Sequence, residues 1–243
     1  QFSTVSGGYA NRACGNASAI GGGRNNHASG SCSVVAGGFG NRACQNCAAV
    51  LGGCCNIASG SQSVAVGGRG NSASGTYSTA IGGYNNRAHH TYDFVGGGNA
   101  NKACGTKSVV VGGDLNHATA AQSFVGGGKC NRTNGCSSTI SGGYKNCITT
   151  TGTGDATTIA GGRNNCMEDV IYATIGGGYL NTMLGGGSTS STIGGGQQNC
   201  NCAHSSTISG GKCNLISGSS TGACASTVSG GYRNKNCGVS PKF

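Results

Sequence analysis

Sixteen cysteines are the most reactive residues of this 243-residue chain. Thiols at that density suit disulfides in an oxidising compartment, metal ligation, or both. Cys54-Cys55 and Cys200-x-Cys202 are close pairs, and a zinc site on them is the weaker reading. Only five residues are acidic: Asp93, Asp114, Asp155, Glu168 and Asp169. They are too few and too scattered for a paired-carboxylate mechanism or a calcium-loop repeat. The five histidines, which include His89-His90 and His204, form no nucleophile–base–orienter set with the abundant serines. Runs such as Gly126-Gly127-Gly128 lack the Lys-Ser/Thr of a phosphate-binding loop. The residues predict no enzyme, no cofactor and no metal. Fifteen Lys and Arg give a net charge of +10, which turns attention to polyanions.

What positions these residues is a repeat. Asparagines of G-G-x-x-N recur at Asn11, Asn26, Asn41, Asn56, Asn71, Asn86, Asn101, Asn116, Asn131 and Asn146, always 15 apart. The series continues less evenly through Asn165, Asn181, Asn199, Asn214 and Asn234. The unit is S-x-[VI]-x-G-G-x-x-N-x-A-x-G-x-x. Val or Ile stands six before the Asn in thirteen of the fifteen turns, with Ala65 and Ala80 as the exceptions. Leu, Ile, Val and Phe total only 35 residues, and Gly contributes 51. Composition alone would therefore indicate disorder; the strict period overrides it. Gly does not fall on every third position and there is one Pro, so collagen is excluded. No run is long enough to span a membrane as a helix.

Each half-unit, S-x-V-x-G and N-x-A-x-G, has period 2, which is strand geometry. The expected fold is an all-β parallel β-solenoid, or β-roll, of about fifteen turns of about 15 residues, with two short strands per turn. Ser, Val, Gly, Asn and Ala point inward and are small because two sheets face each other across a narrow interior. The Asn column is either an inward hydrogen-bonding ladder or a set of turn residues. At about 4.8 Å per turn the rise would be roughly 70 Å over the repeat. One solenoid domain over 1–243 is expected, regular over 3–146, irregular with insertions over 147–238, and followed by a tail, 239–243. The insertions would form loops on one edge, for binding or by drift.

The outward columns follow. After the Asn stand Arg12, His27, Arg42, Arg87, Lys102, His117 and Arg132; two before it stand Arg24, Arg69 and Lys129, alternating with aromatics such as Tyr84 and Tyr144. This basic and aromatic ridge would bind a polyanion such as an acidic glycan, or serve solubility. No nucleic-acid-binding motif is present, so nucleic acid is not expected as a partner. The first strand exposes an apolar strip: Val64, Val66, Ile81, Phe94, Val109, Val111 and Phe124. Such a strip implies burial between copies of the chain. From turn ten the same column becomes Thr139, Thr158, Thr174, Thr192, Thr207 and Thr227. Cys32 and Cys47, and likewise Cys147 and Cys166, share a column in adjacent turns, within the reach of a disulfide. Asn16-Ala17-Ser18 is a glycosylation sequon on a corner, whereas Asn131 of a second sequon should face inward. Both ends of the chain read as uncapped repeat turns, which predicts head-to-tail stacking.

The segments Ser63-Val64-Ala65-Val66-Gly67, Ser78-Thr79-Ala80-Ile81-Gly82 and Asn71-Ser72-Ala73-Ser74-Gly75 resemble the head repeats of trimeric autotransporter adhesins. Similar repeats occur in phage and large-virus fibre proteins. The resemblance implies a left-handed β-roll, trimerisation, and binding to matrix or cell surfaces. Insect antifreeze solenoids are a second resemblance. The function expected is a structural subunit of an extracellular or virion-associated filament, located outside the cell, on its surface or on a virion. Adhesin-like glycan or cell-surface binding is the alternative, and ice binding a second one.

Overall fold

The computed structural model describes residues 2–150, 156–185, 190–218 and 225–237. The tail 239–243 and parts of the insertions expected over 147–238, at 151–155, 186–189 and 219–224, lie outside the described residues. All regular structure among the described residues is β. The chain divides into two compact units, Gln1–Ala118 and Thr119–Phe243.

The first unit is a parallel β-solenoid. One sheet, the valine sheet, runs through Thr4–Val5, Ala19–Ile20, Val34–Val35, Ala49–Val50, Val64–Ala65, Thr79–Ala80, Phe94–Val95 and Val109–Val110. The alanine sheet runs through Arg12–Ala13, His27–Ala28, Arg42–Ala43, Ile57–Ala58, Ser72–Ala73, Arg87–Ala88, Lys102–Ala103 and His117–Ala118. Neighbouring strands pair in parallel with a register of one repeat, for example Val64↔Thr79 and Ser72↔Arg87. The period-2 segments are five residues long, yet each strand proper holds two. The chain bends on either side of that pair, although flanking amides still bond to the next turn (Ser6 N–H to Ile20 O, 3.0 Å; Cys14 N–H to Ala28 O, 2.8 Å). A third bonded line, absent from the period-2 pattern, lies at the first corner, where Tyr9, Arg24, Phe39, Cys54, Arg69, Tyr84, Asn99 and Asp114 bridge in succession.

The interior is built of small residues meeting across the two sheets. Val35, Ala43, Val50, Ala58, Ala65 and Ala73 are fully buried. The asparagines form the ladder rather than a set of turns. Asn86 Nδ2 donates to Gly82 O at 2.6 Å and to Gly98 O at 2.9 Å, while its Oδ1 accepts from the Asn101 N–H at 2.9 Å. Each such side chain serves its own corner and the turn after it, so the buried amides are satisfied by repetition.

The second unit repeats the scheme with a bulkier interior. Its valine sheet contains Phe124–Val125, Thr139–Ile140, Thr158–Ile159, Thr174–Ile175, Thr192–Ile193, Thr207–Ile208 and Thr227–Val228. Its other sheet contains Arg132–Thr133, Cys147–Thr149, Cys166–Glu168, Thr182–Leu184, Cys200–Cys202, Leu215–Ser217 and Lys235–Cys237. Where the first unit buries Ala, this one buries Ile148, Met167, Met183 and Ile216. Asn201 takes the same column, and its amide is met by Ser206 O at 3.1 Å, Ser206 Oγ at 2.6 Å and Ala203 N–H at 3.2 Å.

Candidate functional site

The outward surfaces carry the candidate chemistry. The basic and aromatic residues separate into two columns. Arg12, Arg42, Arg87 and Lys102 lie on strands of the alanine sheet, and Arg132 on a strand of the second unit. Arg24, Arg69 and Tyr84 stand on the first corner, as do Lys129 and Tyr144 in the second unit. On the strands, His27 is flanked by Arg12 and Arg42. Burial first, and then those two guanidinium charges, hold its imidazole below the usual histidine range. The histidine therefore interrupts a line of like charges.

On the corner two of the cations are sandwiched between aromatic rings. The Arg24 guanidinium lies 5.3 Å from the Tyr9 ring centre and 5.9 Å from that of Phe39. Arg163 repeats the arrangement between Tyr144 at 5.3 Å and Tyr179 at 5.8 Å. Arg69 stacks on Tyr84 at 5.9 Å. Adjacent turns are about 4.8 Å apart, so residues at equivalent positions stack face to face without further design. Arg24 and Arg163 stay exposed, so a carboxylate or sulfate can reach their guanidinium N–H groups.

The valine sheet presents the apolar strip. In the first unit Val34, Leu51, Ile81 and Val111 are exposed, at 39 to 51% of their surface, and Val64, Val66, Phe94 and Val109 are half-buried. Phe124 occupies the same column in the second unit, followed by the Thr column from Thr139 to Thr227. Neither outward column of the valine sheet holds a charged residue.

The described cysteines are free thiols. Cys147 and Cys166 are direct register partners. Cys32 and Cys47 occupy equivalent exposed corner positions on successive turns, with φ of 54° and 55°. The Cys54 and Cys55 sulfurs lie 3.2 Å apart, and those of Cys200 and Cys202 3.5 Å apart. Cys44 and Cys47 have the C-x-x-C spacing, but no group of three or more His, Cys, Asp or Glu among the described residues is placed to hold a metal ion. Asn16 is exposed, and Asn131 is buried in the ladder with its Nδ2 2.9 Å from Gly127 O.

Two features lay beyond the sequence reading. Tyr77 and Tyr92 stack at 4.9 Å with an interplanar angle of 4°; their 15-residue separation was the available signal. Asp93 replaces the inward Ser of its turn. Its buried carboxylate accepts from the His90 N–H at 2.7 Å and from the Ser108 N–H and Oγ, both at 2.9 Å. The replacement is thus a structural one, satisfied by the neighbouring turn.

Fold and surfaces define a class: a parallel β-solenoid that is uncharged on one sheet and basic on the corner beside it. Within that class the first turn is specific, because residues 3–15 match the family model of the ubiquitous surface protein adhesin repeat. The chain thus resembles trimeric autotransporter adhesin repeats in its turn sequence and in its solenoid fold. A comparison with curated proteins gives no match. No helix among the described residues is long and apolar enough to cross a membrane.

Proposed function

We propose that the chain is a non-enzymatic structural subunit of an extracellular or virion-surface fibre, and that copies associate through the apolar outward face of the valine sheet. The observation that carries this reading is the composition of that face. Val64, Val66, Ile81, Phe94, Val109 and Val111 put at least one apolar side chain on each of four successive turns, with no charged neighbour in either outward column. A contiguous apolar strip on an otherwise Ser-, Thr- and Arg-rich surface is stable in water when a partner covers it. A second copy is the natural partner, because its identical strip has the same spacing and meets the first turn for turn. The adhesin-repeat match supports a cell-surface setting, and the trimerisation that the resemblance to autotransporter adhesin heads implies supports closed self-association. Exposed Asn16 would then be open to glycosylation.

Sedimentation equilibrium tests the reading. The wild-type chain should be a discrete oligomer, and the Val66→Lys/Val111→Lys double variant should be a monomer at the same concentration with an unchanged β spectrum. A monomeric wild type, or an unaltered oligomer in the variant, would refute it.

One observation favours a second reading, adhesion to an acidic glycan. The Arg24 and Arg163 guanidiniums are each fixed between two aromatic rings, so they lose little freedom on binding an anion. Ice binding has less support. The Thr column is one residue wide, and its companion column reads Ser141, Ala160, Gly176 and Gly194.

A further inference from the structure

Cys147 and Cys166 differ from the other cysteine pairs of the described residues. They are direct partners on neighbouring parallel strands, Cys147–Thr149 and Cys166–Glu168. That spacing, about 4.8 Å between Cα atoms, is within the range a disulfide spans. Both side chains point outward and are half-buried, so a small molecule can reach them. Cys54 and Cys55 are neighbours in sequence, and Cys200 and Cys202 lie on one strand with the inward Asn201 between them. Neither of those pairs joins two turns; Cys32 and Cys47 stand on successive turns, but at exposed corner positions and not on paired strands.

The surroundings of the pair are polarised. Arg132 precedes Cys147 in its column, and Thr149 Oγ1 lies 3.2 Å from the Cys147 sulfur. Glu168 stands on the strand of Cys166 and is the register partner of Thr149. A cation and a hydroxyl favour a thiolate at Cys147, while the Glu168 carboxylate opposes a thiolate at either sulfur, so the asymmetry comes from Arg132 and Thr149. The hydrogen bond from Cys166, aided by Thr149 and Arg132 and opposed by burial, pulls the Cys147 thiol down to about 6. Cys166 is pushed up, first by its hydrogen bond to Cys147 and then by burial.

We propose that Cys147 and Cys166 form a thiol–disulfide exchange site, with Cys147 as the attacking thiolate and Cys166 as the resolving thiol. The Cys147 thiolate attacks one sulfur of a small-molecule disulfide, whose S–S bond breaks and whose other half leaves as a thiolate. Cys166 gives its proton to that leaving thiolate or to water and attacks the Cys147 sulfur, expelling the second half. The external disulfide is reduced to two thiols, and the protein loses two electrons and gains one S–S bond. The new bond joins two turns of the irregular region across 19 residues of chain. The site therefore converts an oxidising environment into a clamp within the irregular region of the repeat. This inference does not depend on the assembly reading.

The test treats the fully reduced full-length chain with glutathione disulfide at pH 6 and maps the products under non-reducing conditions. The expected first product is the Cys147–Cys166 bridge. Cys166→Ser should trap glutathione on Cys147. Thiolate fraction and nucleophilicity work in opposite directions, and together they predict capture at Cys147 at least about tenfold faster than at Cys104, whose thiol burial pushes up. Cys147→Ser should leave Cys166 at least tenfold slower. An unchanged β spectrum in each variant separates loss of chemistry from loss of fold. Capture at Cys147 no faster than at Cys104, or first capture at Cys166, would overturn the proposal.

Discussion

Gly82 and Gly83 are adjacent yet constrained in opposite ways. Gly83 has φ of +80°, and a Cβ there would lie 2.0 Å from Gly98 O and 2.9 Å from Asn86 Nδ2. A Cβ on Gly82 would meet nothing within 4 Å. Gly83→Ala should therefore cost about 3 kcal/mol and Gly82→Ala less than about 1 kcal/mol, read as shifts of the denaturation midpoint. Equal costs would show that the corner is not packed as described. A second residue tests the buried polar accounting. Thr133 stands where earlier turns have Ala, and its buried Oγ1 has no hydrogen-bond partner. Thr133→Ala should be neutral or stabilise by up to about 1 kcal/mol, whereas Asn86→Ala, which strands Gly82 O and the Asn101 N–H and leaves Gly98 O with the Tyr84 N–H alone, should cost about 3 kcal/mol.

The elements show how far the repeat could be read. The inward columns and the two sheets follow from period 2, since Val, Asn and Ala fall in one phase. The brevity of each strand does not, because alternation persists in sequence after the chain has begun to bend. The left-handed corner residues were also hidden. Ala10, Cys32, Tyr77 and Leu115 have φ between 53° and 58°, in a region where non-glycine residues cost about 1–2 kcal/mol. The ladder holds them there: the Cys32 N–H bonds Asn16 O at 2.8 Å, the Tyr77 N–H bonds Ser61 O at 3.0 Å, and the Leu115 N–H bonds Asn99 O at 2.9 Å. Residue type gives no sign of a conformation imposed by the previous turn. The ridge was legible as a column of charges, but the sandwiching of Arg24 and Arg163 required knowing that the corner is itself a bonded line. If that line binds acidic glycan, Arg24→Ala/Arg163→Ala should elute from a sulfated-polysaccharide column at lower salt than the wild type. Unchanged elution would assign the ridge to solubility.

For the molecule as a whole, composition and fold are reconciled by the ladder. A chain with 51 glycines and few large apolar residues cannot depend on buried area. It depends instead on backbone bonds repeated turn after turn, and on asparagines that satisfy their own corner and the next. This economy leaves large side chains free for the outside, where they are sorted by face: basic on the alanine sheet, basic and aromatic on the first corner, and apolar on the valine sheet of the first unit. The sorting is what makes self-association through that sheet the central claim. Its most direct test is photo-crosslinking from a benzophenone amino acid placed at Ile81 in the apolar strip, compared with the same probe at exposed Arg87 on the alanine sheet. The account predicts covalent products at multiples of the chain mass from position 81 and little product from position 87. Monomer alone from position 81, or equal yields from the two faces, would contradict it.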